Sequence, residues 1–399
     1  MRDKGIVYVP DTFSDVSSID YPIIDADAHV YEPPDVWQQR VPAKMRSRAP
    51  KVTRTEEGDV WSFNDGERLR PVGLMAAAGA SYLDFRPSGL TYDGIRRGHY
   101  EAAARLADMD ADGIYAQILY PSVCEEGARM FGDERALQRA CIRAYNEWSL
   151  EFCEQSRGRL FAKATIPATG SEDAVDELEW SVRNGCKGVL ISTFPNGSVE
   201  PSSADDPFWA RAQEAAVPVA LHIGSFHADG PAARRKFDPA AVLPRACVSK
   251  SGANTVPLVA RMMFSGLFER FPRLEVVLVE ANIGWIPAML EQADDMFLRY
   301  RWFTGTAGRL PTMPSRVFHR NIWATFMIDT VGIELRHRLN LDHLMWSTDY
   351  PHTGTDWPNS RVTIERLFRG VPCDEVRRML HTNCKSLYRL DAIPDRWPS

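Results

Sequence analysis

The chain alternates short apolar runs with segments of helical periodicity, and this alternation restricts the fold more than any other feature of the sequence. The apolar runs predict eight β-strands, most of them separated by helices, at 22–29, 114–120, 161–166, 188–192, 217–222, 274–280, 322–328 and 344–349. Eight strands separated by helices match a closed (β/α)8 barrel better than an open doubly wound sheet. Because no G-x-G-x-x-G follows a strand, the main signal of a dinucleotide-binding fold is missing. We therefore predict an α/β protein of the TIM-barrel class.

The segments between the strands predict helices, one insertion and long mouth loops. Residue Ser171 is of the type favoured at a helix N-cap, and the predicted helices are 99–113, 134–155, 172–184 and 206–215. Residues 31–96 interrupt the alternation, and the turn signals Glu57-Gly58 and Asp65-Gly66 predict a small β-hairpin insertion directly after the first strand. It would lie over the barrel mouth as a lid or a dimer arm. We expect one domain over 1–399, a barrel core at about 22–390, and long loops at 225–247 and 301–320.

Composition excludes several classes of protein. The 399 residues carry a formal net charge of −6, which offers no basic surface for nucleic acid or an anionic membrane. No apolar run approaches the ~20 residues that span a bilayer, and the first residues show no secretory signal. The seven cysteines are odd in number and contain no C-x-x-C pair, so disulfides and cysteine zinc sites are not expected. These features are typical of a cytoplasmic enzyme.

Three of the predicted strands end in side chains that can bind a metal ion. Asp27 and His29 lie two residues apart on the first strand and therefore share a face. The fifth strand ends at His222 and the eighth at Asp349. Because the carboxyl ends of all barrel strands meet in one place, we predict that these four residues form one metal site. Imidazole suits zinc and other first-row ions, and carboxylate also suits manganese. Asp349 is alternatively an acid/base, or the carboxylate that orients a ligand histidine.

The same motifs carry a family resemblance. Asp27-Ala28-His29 followed by Glu32-Pro33, then Pro218-x-x-x-His222, Phe271-Pro272-x-Leu274 and Thr348-Asp349-Tyr350-Pro351-His352, resemble the amidohydrolase superfamily. The resemblance covers about 22–390 and is greatest to the branch that includes aminocarboxymuconate-semialdehyde decarboxylase and the resorcylate-type decarboxylases. It implies a metal-dependent barrel enzyme, often dimeric, that acts on small organic acids. It also implies that Asp27 replaces a histidine of many members and that Glu280 stands where many carry a catalytic histidine.

The number of metal ions and the residues around the site follow from position. Some amidohydrolases hold two metals with a carboxylated lysine at the end of strand four. Here the candidate, Lys187, precedes that strand, so a single divalent ion is expected. Zinc is the leading expectation for this ion, and manganese is the alternative. Glu280 is either an acid/base or the structural partner of an arginine. The mouth-loop residues His227 and His352, together with Trp357, are the substrate-binding candidates. Arg86 and Arg245 are possible carboxylate anchors by position alone, and neither is favoured.

Three functions fit these residues. The first is a lyase that removes CO₂ without oxidation from a small aromatic or unsaturated acid, with His222, Glu280 and Asp349 as the catalytic groups. The second is a metal-dependent hydrolase of an ester, lactone, amide or C–C bond. The third is a barrel that has lost catalysis and binds a partner, which the retained ligand set disfavours. In the first two cases the partners are a small organic acid and further copies of the chain, as a homodimer or higher homo-oligomer, and neither nucleic acid nor membrane.

Overall fold

The computed structural model describes residues 12–56, 58–66, 68–81, 83–226 and 242–398. The strands in this part of the chain are β1 (Ile24–Val30), β2 (Lys51–Thr55), β3 (Gly58–Phe63), β4 (Arg68–Pro71), β5 (Ala116–Pro121), β6 (Leu160–Ala162), β7 (Ala164–Thr165), β8 (Val189–Ile191), β9 (Val219–His222), β10 (Val276–Val279), β11 (Ile322–Phe326) and β12 (Leu344–Trp346). The helices are α1 (Val36–Arg40), α2 (Ala102–Asp112), α3 (Arg135–Glu154), α4 (Ser171–Arg183), α5 (Asp206–Ala215), α6 (Val242–Ser249), α7 (Thr255–Phe264), α8 (Leu267–Arg270), α9 (Ile286–Tyr300), α10 (Pro314–Asn321), α11 (Thr330–Leu335), α12 (Ser360–Phe368), α13 (Cys373–Arg377) and α14 (Asn383–Leu387).

Parallel strands form the centre of the described residues. β1, β5 and β6 pair in one run, and β7 to β12 pair in sequence order in a second run. β6 and β7 are two parts of one strand, because the backbone N–H of Lys163 between them donates to Leu119 O (3.0 Å) on β5 and that of Ala164 donates to Gly188 O (3.1 Å) beside β8. The eight predicted strands are therefore all present.

The ring of strands closes between β1 and the residues after β12. Asp349 N–H donates to Asp27 O (2.9 Å), and His29 N–H donates to Tyr350 O (2.6 Å). The buried carboxylate of Asp25 strengthens the closure, since it accepts from Thr348 N–H at 2.9 Å. The predicted (β/α)8 barrel is confirmed.

Burial explains why the barrel strands are recognisable in the sequence. All four residues of β10 are buried, and strands covered on both faces contain continuous apolar runs. The helices outside present one apolar face, as α3 does with its buried Leu137, Cys141 and Tyr145. In the residues described, no helix is both long and apolar enough to cross a bilayer, and no disulfide is formed.

The insertion after β1 is larger than predicted. It contains a three-stranded antiparallel sheet of β2, β3 and β4, so the expected single β-hairpin is wrong by one strand. The turn signal at Asp65-Gly66 was correct, because both residues adopt positive φ there. β4 was not predicted because its sequence is mostly polar. It is an edge strand, and its apolar side chain Leu69 is 56% exposed.

Two local predictions are also corrected. Ser171 is the first residue of α4 and not its N-cap, since Gly170 takes that position with φ 126°, a backbone conformation that glycine adopts readily. The stretch 301–320 lies between α9 and β11 and contains α10, so it approaches the amino ends of the strands and not the mouth. Its buried Val317 and Phe318 form a narrow apolar face. Of the predicted mouth loop 225–247, residues 227–241 lie outside the described residues.

Lys163, between β6 and β7, gives a prediction about stability. Its ammonium group is buried, has no hydrogen-bond partner in the part of the chain that the structure describes, and lies 3.8 Å from the centre of the Tyr388 ring. Burial lowers the pKa of Lys163 to about 7. Lys163→Met keeps the length of the side chain without the charge, so it should stabilise the protein at pH 7 by on the order of 4 kcal/mol, at about 1.4 kcal/mol per pKa unit.

The pH dependence gives the sign of this effect. Between pH 7 and about 10.4, the unfolded chain binds a proton at this lysine that the folded chain does not, so the stability of the wild type rises with pH. The advantage of Lys163→Met should therefore shrink to about 1 kcal/mol at pH 10. Denaturation midpoints of both proteins at pH 7 and pH 10 measure it. A methionine variant that is less stable at pH 7 would contradict the prediction.

Candidate metal centre

The four predicted metal ligands meet at the carboxyl ends of the barrel strands. Asp27 and His29 lie on β1, His222 ends β9, and Asp349 follows β12, and all four are buried. His29 Nε2 lies 3.2 Å from His222 Nε2 and 3.5 Å from both Asp27 Oδ1 and Asp349 Oδ1. His222 Nε2 is 3.9 Å from the same oxygen of Asp27. The barrel thus brings together four donors that are far apart in sequence.

The two imidazoles are held as neutral rings with Nε2 directed at the centre. His29 Nδ1 lies 2.8 Å from Pro121 O, so Nδ1 carries the proton and donates it to that carbonyl. Burial, together with the neighbouring His352 and His222, lowers the pKa of His29 well below its usual value. Burial also lowers the pKa of His222 to about 4. Neutral imidazole is the form that binds metals.

The donor set fits a divalent cation. Both carboxylate oxygens of Asp27 are buried and have no hydrogen-bond partner among the described residues, which is costly unless a cation satisfies them. Burial, then the charges of Asp349 and Glu280, raise the pKa of Asp27. Donors bound about 2.0–2.2 Å from one ion lie roughly 3–3.5 Å apart, and His29 Nε2 lies at such distances from the other three donors. Asp27, His29 and His222 lie close enough together to hold one ion, and so do His29, Asp349 and His352.

His352 lies against the ligands. Its Nδ1 is 3.0 Å from Asp349 Oδ1, its Nε2 is 3.1 Å from Ser122 Oγ, and its ring stacks on His29 with centroids 3.8 Å apart. Burial lowers the pKa of His352 to about 3. Both nitrogens and one face of His352 are therefore in contact with described residues of the site, and the substrate contact expected from the sequence stays a prediction.

Two residues at the site adopt left-handed backbone conformations. Glu280, directly after β10, has φ 59°, and Asp349 has φ 56°. Positive φ is uncommon outside glycine, and such strained positions cluster at functional sites. The backbone thus turns sharply at the ends of two strands, and both carboxylates are directed into the mouth.

Glu280 is paired with a lysine. Its Oε1 lies 2.8 Å from Lys250 Nζ, and its Oε2 lies 3.6 Å from His222 Nε2. Lys250 Nζ is also 3.7 Å from Asp349 Oδ2. Burial and the charge of Asp349 raise the pKa of Glu280, and Lys250 opposes the shift. Sequence reasoning considered an arginine partner and missed Lys250, although it lies just after the loop that was predicted to overhang the mouth.

Glu125 was also missed. It follows β5, its side chain is 13% exposed, and its Oε1 lies 3.6 Å from His222 Nδ1. Burial raises the pKa of Glu125 to about 8, with Arg70 opposing the shift. Arg70 belongs to β4 of the insertion, and its Nη2 lies 3.9 Å from Glu125 Oε2. The carboxyl end of β5 was a signal that the same strand-end reasoning should have used.

Trp357, whose substrate contact stays a prediction, and Glu32 of the first motif lie near the site. Trp357 Nε1–H donates to Asp108 O at 2.9 Å, and the Arg96 guanidinium lies 4.2 Å from its ring centre. Trp357 and His352 both line a cavity of about 130 Å³ between the loop after β12 and residues 77–80 of the insertion. Glu32 accepts from Val123 N–H at 2.8 Å, so it fixes the loop after β5.

Among the remaining candidates, Arg86 does not reach the centre. The Arg86 guanidinium donates to the carbonyls of Leu83 and Phe85 beside it in the sequence and is part of an exposed turn. His227 lies outside the described residues, and nothing is described of the Arg245 side chain.

Comparison with known proteins agrees with this geometry. A family model described as Amidohydrolase matches residues 24–390. The chain belongs to the amidohydrolase family. This amidohydrolase is 27% identical over 305 residues to a gamma-resorcylate decarboxylase of a Rhizobium species. The alignment covers 72% of this chain and 86% of the relative. The superfamily resemblance inferred from the motifs is therefore confirmed.

Solved structures support the fold of this amidohydrolase. An amidohydrolase from Mycobacterium avium subsp. paratuberculosis superimposes with a TM-score of 0.71 at 19% identity, covering 93% of this chain and 98% of that one. A dihydroxybenzoic acid decarboxylase from a Polaromonas species, crystallised with manganese and the inhibitor 2-nitroresorcinol, gives a TM-score of 0.60 at 18% identity over 93% and 98% of the two chains. At these identities the likeness shows the shared fold.

Proposed function

We propose that this amidohydrolase is a metal-dependent lyase that removes CO₂ without oxidation from a small aromatic carboxylic acid. The observation that carries the proposal is the buried cluster of Asp27, His29, His222 and Asp349, with the Lys250 ammonium group and the Glu280 carboxyl within 4 Å of its members. Such a site holds a cation, an anion-binding ammonium group and a proton-transfer group together. The decarboxylase name of the Rhizobium relative supports the same reaction class.

The proposed cofactor is one divalent ion held by Asp27, His29, His222 and Asp349. Zinc was the first expectation from the sequence and remains a prediction. Manganese is supported by the two carboxylates of the set, since oxygen ligands suit manganese, and by the manganese in the Polaromonas decarboxylase. When bound, the ion supplies a Lewis acid that stabilises negative charge on the substrate oxygens.

The residues of the chain supply charge and a proton. Lys250 offers an ammonium group to the substrate carboxylate or to an adjacent ring oxygen at the mouth. Asp349 and Glu280 are buried together beside it, and two carboxyl groups so close hold a proton between them more readily than either does alone. As the bond between the ring carbon and the carboxylate breaks, its electron pair remains on the ring carbon and takes up this proton. CO₂ leaves, and solvent restores the proton to the pair.

The reaction class is tested by product analysis. The metal-loaded protein is incubated with hydroxybenzoates labelled with ¹³C in the carboxyl group, and in parallel with aryl esters and lactones. We expect labelled CO₂ and the decarboxylated ring from at least one acid. Hydrolysis of an ester or lactone with no CO₂ from any acid would overturn the proposal in favour of the hydrolase alternative.

Glu280→Gln should lower kcat by ~10²-fold or more, which is the usual scale for a lost acid/base group. Glutamine is nearly isosteric but holds no transferable proton, so the variant should fold and bind metal as the wild type does. The measurement is kcat with metal content and thermal midpoint on one sample. A lowered midpoint with normal kcat would make Glu280 part of the architecture only.

Lys250→Met is the matched variant for the same pair. It removes the ammonium group and leaves the Glu280 carboxyl in place. If Lys250 binds the substrate anion, KM should rise by roughly tenfold or more, as expected for the loss of an ion pair worth about 1.4 kcal/mol. A variant with unchanged KM would exclude substrate binding by Lys250.

We also propose that the chain acts as one domain in a homodimer or higher homo-oligomer. Exposed apolar side chains at the end of α9 support this, because Trp302 and Phe303 are 69% and 75% exposed beside Leu298 and Tyr300, and such patches are typical of interfaces. Cytoplasmic location remains a prediction from the sequence.

A further inference from the structure

Glu125 occupies the side of His222 that faces away from the proposed metal. His222 Nε2 is directed at His29 and Asp27, whereas Nδ1 is directed at Glu125 Oε1, 3.6 Å away. Nδ1 is buried and has no hydrogen-bond partner among the described residues. Nε2 therefore faces the proposed ligands and Glu280 Oε2, whereas Nδ1 faces Glu125, which lies outside the proposed ligand set.

A histidine ligand requires an acceptor for its second nitrogen. The acceptor keeps the proton on that nitrogen, fixes the ring orientation and makes the ligating nitrogen more basic. His29 has such an acceptor in Pro121 O at 2.8 Å. The corresponding group for His222 is Glu125. Its distance is about 0.7 Å longer than a normal hydrogen bond, which a small rotation of either side chain would close.

The insertion fixes the position of Glu125. Arg70 on β4 donates from Nη1 to Val123 O at 3.1 Å and from Nη2 to Glu126 Oε1 at 3.3 Å, and the same Nη2 lies 3.9 Å from Glu125. The loop after β5 is thus attached to the insertion at several points. Glu125 and Glu126 are neighbours in this loop, and the Glu125 carboxyl lies against His222 Nδ1.

We propose that Glu125 is a positioning residue that accepts the Nδ1–H of His222 and holds Nε2 toward the metal. Through Arg70, the antiparallel sheet of the insertion becomes a structural part of the metal centre, in addition to any role as a lid. This inference rests on the proposed metal site but not on the reaction catalysed there.

The test measures metal affinity and not turnover alone. Glu125→Ala removes the acceptor, Glu125→Gln keeps an oxygen in its place, and Glu126→Ala is the control because it disturbs the same loop and the same arginine. The dissociation constant of Mn²⁺ is measured for each protein by competition with a chelator, and the thermal midpoint is measured on the metal-free forms. Loss of such a partner typically weakens metal binding by 10–100-fold.

We expect Glu125→Ala to weaken Mn²⁺ binding by this factor, Glu125→Gln to fall between it and the wild type, and Glu126→Ala to bind as the wild type does. The metal-free midpoints of the two alanine variants should be similar. Affinity of Glu125→Ala within twofold of the wild type, or an equal loss in Glu126→Ala, would overturn the positioning role. If the affinities follow the expected order but no acid yields CO₂, the proposed reaction fails while this role stands.

Discussion

His222→Ala should lose its metal ion and its catalytic activity together. His222 supplies a neutral Nε2 that lies 3.2 Å from His29 Nε2 at the centre of the site. Its removal leaves one imidazole and two carboxylates, and opens the position to water. The expected result is loss of bound metal at micromolar metal concentrations and a rate indistinguishable from background, measured by elemental analysis and CO₂ release.

Stability gives a second measurement of the same change. A ligand that binds the folded protein stabilises it in proportion to the logarithm of its concentration over Kd, so added metal should raise the thermal midpoint of the wild type and not that of His222→Ala. His343→Ala is the matched control, because His343 precedes β12 and stacks on Trp323 at the opposite end of the barrel. Full metal occupancy in His222→Ala would show that His222 is not a metal ligand.

Asp349→Asn should lower kcat by about 10²- to 10⁴-fold, the range for a group that transfers a proton in the transition state. The exchange is favourable for a test, because asparagine tolerates the left-handed backbone of this position, where φ is 56°. The Asp349 N–H that closes the barrel on Asp27 O is a backbone group and is unaffected. The variant should therefore fold normally.

Metal content decides how the result for Asp349→Asn is interpreted. If the variant retains metal and loses turnover, the carboxyl group is needed for chemistry beyond binding the ion. If metal is lost as well, kcat is compared at saturating metal. A metal-loaded variant with unchanged kcat would contradict the acid/base role.

The sequence was sufficient to predict the barrel and the proposed ligands. Both depend on apolar strand patterns that can be recognised locally and on the fact that the strand ends meet in a barrel. Buried parallel strands are continuous apolar runs, as in Val276–Val279, and the ends of such strands converge. Asp27, His29, His222 and Asp349 could therefore be placed together without knowledge of any contact. Polar edge strand β4 had no such signal.

The residues that sequence reasoning missed act through contacts between distant segments. Lys250 reaches Glu280 from the residues that follow α6, and Glu125 reaches His222 from the loop after β5. Neither residue type nor spacing distinguishes Lys250 from other charged residues, whereas the position of Glu125 after β5 was a usable signal. The stacking of His352 on His29 is another contact between distant segments, and the substrate contact expected for His352 stays a prediction.

The central claim is that this chain uses one divalent ion at the Asp27, His29, His222 and Asp349 cluster to release CO₂ from an aromatic acid. It is tested most directly by stripping the protein of metal and titrating it with Mn²⁺, and in parallel with Zn²⁺, while ¹³CO₂ release is followed from an acid that the wild type accepts. We predict no release without metal and a linear rise that saturates at one equivalent per chain. Full release from the metal-free protein would contradict the claim.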